Sequence, residues 1–119
     1  MSREQKNSLR ITRALSFLAR FLGLMGKQKW PLGYDALWFP RCGSVHTFFT
    51  FLRPDILFVD SNGMILSIHT QALPWRVWWG PPGTFGCLEI GPGEVVKRDW
   101  RIGTKIEGLF DNSLDRLSR

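Results

Sequence analysis

Two apolar runs, Asp55 to Asp60 and Met64 to Thr70, lie on either side of Ser61-Asn62-Gly63. Asn-Gly between hydrophobic runs is a strong short-range hairpin signal, because both residues tolerate a positive φ. In the first arm Ile56 and Phe58 point one way, and Leu57 and Val59 the other. All four are apolar, which predicts a strand buried on both faces.

Other elements follow from the same alternation and its interruptions. Leu9 and Ile11 alternate with Arg10 and Thr12 and predict a short strand. Ser16 can cap a helix running to about Met25, with Leu15, Leu18, Leu22 and Met25 at three- and four-residue steps. Phe17, Phe21 and Leu24 widen its stripe, and Gly26 ends it. Pro31-Leu32-Gly33 reads as a loop. Ala36 to Phe39 is a strand stopped by Pro40, and Val45 to Leu52 is a further strand. Residues 71–84, rich in Trp, Pro and Gly, are expected to form one long loop. Phe85 to Ile90 is a strand, and Gly91-Pro92-Gly93 opens a helical turn from Glu94 to Trp100. Ile102 to Phe110 is expected to close the sheet around a turn at Gly103-Thr104.

The fold class expected is mainly β: a β-sandwich or small distorted barrel with one packed N-terminal helix and a short helical turn near the C-terminal end. Residues 9–110 would form a single globular domain between a basic tail, 1–8, and a polar tail, 111–119. A chain of 119 residues is long enough to bury a real core. Its aromatic content, 13% with six Trp and nine Phe against one Tyr, points to a packed core first and a sticky groove second.

The net charge is +6, and Arg3, Lys6, Arg10, Arg13 and Arg20 in the first twenty positions face one acid, Glu4. Such a field attracts nucleic acid, anionic lipid or acidic ligands, although a solubilising surface with a basic tail is the plainer account. No apolar run reaches the roughly 18 residues of a membrane span. The stretch from Ala14 to Met25 is broken by Arg20 and lacks a small-residue cleavage site, so no secretory signal is expected and the reading is a soluble, cytoplasmic protein. Cys42 and Cys87 then read as reduced, buried thiols, with one disulfide as the alternative in an exported chain.

Six blocks occur together in order. They are Phe21-Leu22-Gly23-Leu24-Met25-Gly26, Ala36-Leu37-Trp38-Phe39-Pro40, His46-Thr47-Phe48-Phe49, Pro54-Asp55-Ile56-Leu57-Phe58-Val59-Asp60 with Gly63, Leu88-Glu89-Ile90-Gly91-Pro92-Gly93, and Trp100-Arg101-Ile102-Gly103-Thr104-Lys105-Ile106. The set resembles a widespread prokaryotic family, the domain of unknown function one-nine-two, over about residues 9 to 108. The resemblance implies a compact β domain of sandwich type and no assigned activity. The chain departs from the family pattern at Thr50 and Phe51, where Met then Arg are usual. It departs again at Arg53 and Pro54, at Thr104 in place of a turn Asp, and at Pro92-Gly93 in place of Ala-Gly. A polar pocket built around the missing Arg would be lost or relocated here.

No nucleophile elbow, phosphate loop, dinucleotide fingerprint or zinc motif is present, and no cofactor or metal is expected. His46 precedes an apolar strand and could act as a base or ligand, but a hydrogen-bonded, half-buried imidazole is the plainer account. His69 lacks a second ligand at metal spacing. Asp55 and Asp60 are an odd number of residues apart on one strand and cannot pair. Asp60 is explained by the turn, whereas Asp55 opens a buried run and needs a partner. Cys42 near His46 is a weak candidate nucleophile pair. Trp75-Arg76-Val77-Trp78-Trp79-Gly80 carries the most weight, because aromatic faces beside a guanidinium stack on bases, sugars or peptide groups. The competing structural account has Trp75 and Trp78 plugging an open end of the fold, with Arg76 stacked on one of them.

The leading functional expectation is a non-catalytic module for a small molecule or an extended peptide. It would act as a monomer or weak dimer, with His46, Asp55, Trp75, Arg76 and Trp78 as candidate binding residues. The alternatives are a nucleic-acid-associated basic protein and, last, a small hydrolase or lyase using His46, Asp55 or Cys42.

Overall fold

The computed structural model describes residues 10–13, 35–48 and 51–110. Seven strands and one short helix occur there: β1 (Ile11–Arg13), β2 (Ala36–Phe39), β3 (Ser44–His46), β4 (Asp55–Val59), β5 (Ile65–His69), β6 (Val77–Trp79), β7 (Gly86–Ile90) and α1 (Glu94–Lys97). The expected helix from Ser16 to Met25, the loop at Pro31-Leu32-Gly33 and both tails lie outside the described residues.

One sheet has the order β1-β2-β7-β4-β5, and β3 pairs with β6 in a second, two-stranded sheet. The larger sheet ends in β1 and β5, which do not pair with each other, so it is open and the alternative of a small distorted barrel is not formed. β1 runs parallel to β2, and the other pairs are antiparallel. Arg10 fixes the β1 edge: its guanidinium and backbone N–H donate to the Asp35 carboxylate at 2.7–3.4 Å. These bonds hold the Asp35 carboxyl below its ordinary value.

β4 and β7 lie at the centre and are buried along their whole length. Alternation sends their side chains to two cores. Trp38, Leu57, Val59, Leu88 and Ile90 meet Val95, Ile106 and Leu109 on one face. Leu37, Phe39, Ile56, Phe58 and Cys87 meet Val45 and Trp78 of the small sheet on the other. Both cysteines are free thiols, with Cys87 buried and Cys42 partly so.

The β4–β5 hairpin forms where expected, with a different turn. Asp60 Oδ1 accepts from the N–H groups of Asn62 (2.8 Å) and Met64 (3.0 Å), and Asp60 accepts a backbone bond from Gly63. Gly63 has φ 83°, while Asn62 stays at negative φ. The Asp60 carboxylate thus winds a longer loop, with the glycine taking the left-handed position alone.

Four further expectations are corrected. The strand expected from Val45 to Leu52 ends at His46, because Thr47 turns its side chain into the neighbouring segment. The loop expected over 71–84 contains β6. Ile102 to Phe110 forms no strand; it touches the hairpin through one bridge, Met64 to Lys105, and contributes buried Ile106 and Leu109. The helical turn is also shorter than expected and ends at Lys97.

Gly86 starts β7 where the sheet admits no side chain. A Cβ there would lie 2.5 Å from the Trp38 ring and 2.7 Å from the Phe39 carbonyl oxygen. Gly86→Ala is expected to lower stability by about 2 kcal/mol through overpacking. A urea denaturation midpoint within error of the wild type would contradict this.

Candidate functional site

The small sheet and the segment leading into β6 carry most of the sequence-flagged aromatics. Thr47 organises them. It is 1% exposed, and its hydroxyl donates to the Leu73 carbonyl at 2.7 Å. The same oxygen accepts from Arg76 N–H (3.1 Å) and Trp78 Nε1–H (3.2 Å). Backbone bonds from Thr47 N to Arg76 O and from Trp75 N to Thr47 O complete the clamp. A buried hydroxyl using its donor and both lone pairs fixes its neighbours, since any rearrangement would strand a polar group.

This clamp sorts the tryptophans. Trp78 turns inward and packs at a tilt against His69, ring centroids 4.9 Å apart, and His69 meets Phe58 edge-on at 6.0 Å. Burial lowers the His69 pKa. Trp75 turns outward, 55% exposed, with φ 65°. Positive φ is costly for a bulky residue, of order 1–3 kcal/mol, and strain of this kind gathers at functional positions. Phe48 lies 6.2 Å from the Trp75 ring and 5.3 Å from the His46 ring. His46 Nδ1 accepts the Phe48 N–H at 3.2 Å, which sets the imidazole orientation. His46, Phe48 and Trp75 thus form an aromatic ledge, beside which Val77 (44%) and Trp79 (73%) stand exposed.

The sequence-flagged residues therefore separate. His46 and Trp75 share the ledge, while Trp78 packs beneath it. Arg76 is exposed and held by its backbone; among the described residues its guanidinium stacks on no tryptophan. Asp55 is fully buried, and its two oxygens accept the Gln71 N–H (2.8 Å) and the Val95 N–H (3.0 Å). That makes it a staple between β4, the segment after β5 and α1. Cys42 donates its thiol hydrogen to the Ser44 carbonyl. Among the described residues no hydrogen bond joins any two of Cys42, His46 and Asp55.

One residue that sequence reasoning passed over is Glu89. It stands in the middle of β7, 4% exposed, facing Leu37 of β2 and Ile56 of β4, with His69 next along the row. Among the described residues nothing donates a hydrogen bond to its carboxyl, and burial pushes its pKa up to about 8. The available signal was an acid two residues from Cys87 in an otherwise apolar strand.

Two surface clefts, of about 540 and 200 Å³, flank the segment 104–110 near the hairpin tip. Neither is lined by a ledge residue. No three His, Cys, Asp or Glu side chains group as metal ligands among the described residues. Among these residues no helix is long and apolar enough to cross a membrane.

The architecture is shared with solved structures. A candidate transcription regulator from Sinorhizobium meliloti 1021 is similar at 25% identity, with a TM-score of 0.73 over 82% of this chain and 80% of that one. A protein of unknown function from Novosphingobium aromaticivorans is similar at 21% identity, with a TM-score of 0.68 over 82% and 72%. No curated protein matches the chain. The blocks that shape the site, from the Thr47 clamp to the Asp55 staple and the Glu89 strand, fall within a family match over residues 1–108, and the chain belongs to that family, DUF192, described as an uncharacterized ACR.

Proposed function

We propose that the domain is a non-catalytic binding module of the sandwich type, and that its contact surface is the ledge of His46, Phe48 and Trp75 with Arg76 at its border. The observation that carries this reading is Trp75, exposed on a strained backbone that the Thr47 clamp holds in place. Pre-organised aromatic faces bind at low entropic cost. Trp78 supports the ledge from below, and Asp55 anchors the segment that presents it. A ligand screen by thermal shift tests this reading. The stabilisation given by any hit is expected to disappear in Trp75→Ala and to persist in Val96→Ala, which alters an exposed side chain on α1. Identical responses in wild type and Trp75→Ala would overturn it.

A nucleic-acid role comes second. The net charge of +6 and the description of the Sinorhizobium protein favour it. Against it, Arg10 is engaged by Asp35, and Arg13 donates to the Leu109 carbonyl. Single-stranded oligonucleotide binding that weakens steeply with salt would support it.

A further inference from the structure

The open backbone edge of β6 indicates which class of ligand the ledge takes. β3 and β6 pair as Ser44 with Trp79, Val45 with Trp78 and His46 with Val77. Backbone bonds flank this ladder, from Thr47 N to Arg76 O and from Gly80 N to Gly43 O. Antiparallel pairs alternate between bonded and unbonded, so Val45 and Trp78 are the bonded pair between those two. The N–H and C=O groups of Val77 and Trp79 therefore point away from β3. Among the described residues nothing bonds to them. Of the edges of the larger sheet, β5 is partly covered, since Ile65 exchanges backbone bonds with Gly103 and Thr104.

Exposed edges are normally guarded by charge or proline within the strand. β6 has neither within Val77–Trp79, and is bounded instead by Pro74 and by Pro81-Pro82. The edge is thus short and framed. It suits one added strand better than open-ended stacking. Val77 and Trp79 lie on the same outer side, 44% and 73% exposed, and offer a footing for alternate apolar side chains. The residue just before β6, Arg76, carries an exposed guanidinium that no described residue engages.

We infer that the ligand is an extended polypeptide segment that adds to the free edge of β6. Its apolar residues lie over Val77 and Trp79, and a carboxylate pairs with Arg76. This rests on the binding-module reading and specifies its partner. Backbone bonds to Val77 and Trp79 supply affinity, while the alternating side chains and the Arg76 pair supply selectivity.

The probe is a capped heptapeptide alternating valine and glutamate, titrated into the full chain and followed by amide NMR. Two control peptides replace glutamate with lysine or carry N-methyl groups on alternate backbone nitrogens. Binding is expected to slow amide exchange at Val77 and Trp79 by about tenfold or more, with little change at Trp78, which is already bonded to Val45. N-methylation and the lysine exchange should each weaken binding by about tenfold. Arg76→Glu should reverse the preference between the glutamate and lysine peptides. Equal affinity for the N-methylated peptide, or absent protection at Val77 and Trp79, overturns edge pairing; the ledge reading then survives if Trp75→Ala still abolishes binding. No binding by any peptide at about 1 mM also overturns the inference. So does a concentration-dependent dimer that protects the same two amides without peptide, since a second copy then holds the edge. In either case the ligand screen judges the ledge separately.

Discussion

Glu89→Gln is expected to stabilise the protein at neutral pH by about 3 kcal/mol and to remove most of the pH dependence of its stability between 4.5 and about 8. The wild-type carboxyl sits in the central strand between Leu37 and Ile56, and burial raises its pKa from 4.5 to about 8. In the unfolded chain the same group ionises near 4.5. As pH rises through this window, the unfolded chain releases its proton before the folded one does. The Glu89 contribution to stability is therefore full below 4.5, declines through the window, and reaches its lower plateau above about 8, while His69, whose pKa burial lowers, acts in the opposite sense as pH falls below 6.5. Asp35 acts in the opposite sense, because its value is lowered, and its effect falls below 3.8, outside this window.

Urea midpoints at pH 4.5 and at pH 8 test the point. The glutamine variant should match the wild type at the lower pH and exceed it at the higher. Glu89→Leu should do the same with a larger margin, since it also removes the buried polar atoms. An unchanged slope in both variants would mean that the folded protein carries an ionised carboxylate there.

The fold was legible wherever burial imposed a period. Ile56 to Val59 alternate between two apolar faces, and the observed strand is buried on both. Pro40 and the Gly91-Pro92-Gly93 segment ended β2 and β7 where a missing donor or a left-handed glycine must end them. β6 was hidden because three residues cannot display a period, and because its partner β3 is remote in sequence. Ile102 to Phe110 misled for the reverse reason: Ile106 and Leu109 are buried from a chain of turns, which leaves the same apolar marks as a strand. The site was half legible. Aromatic density flagged Trp75 and Trp78, but only Thr47 decides which of them faces out, and one hydroxyl leaves no pattern in a sequence. Glu89 drew no chemical reading in the sequence, because only the register places strands on both of its sides.

Asp55→Ala is expected to cost about 4 kcal/mol, among the largest losses for a single truncation in this protein. The sequence required a partner for this carboxylate, and the partners are two backbone amides that no side-chain pattern announces. Its oxygens take the N–H groups of Gln71 and Val95, and the side chain is fully buried, so truncation strands both donors at once. Asp55→Asn keeps one acceptor but turns an amide donor toward one of those N–H groups, and should cost about 2 kcal/mol. Denaturant midpoints give the ordering Ala below Asn below wild type, and hydrogen exchange at Gln71 and Val95 localises it. A loss under about 1 kcal/mol for the alanine variant would mean that water replaces the carboxylate, and the staple would fail. The two kinds of substitution should separate in their effects. Gln71 opens the segment that carries Trp75, so Asp55→Asn should weaken ligand binding in proportion to its loosening of that segment. Trp75→Ala should abolish binding with the denaturant midpoint nearly unmoved, because an exposed ring on a strained backbone contributes contact surface and little stability.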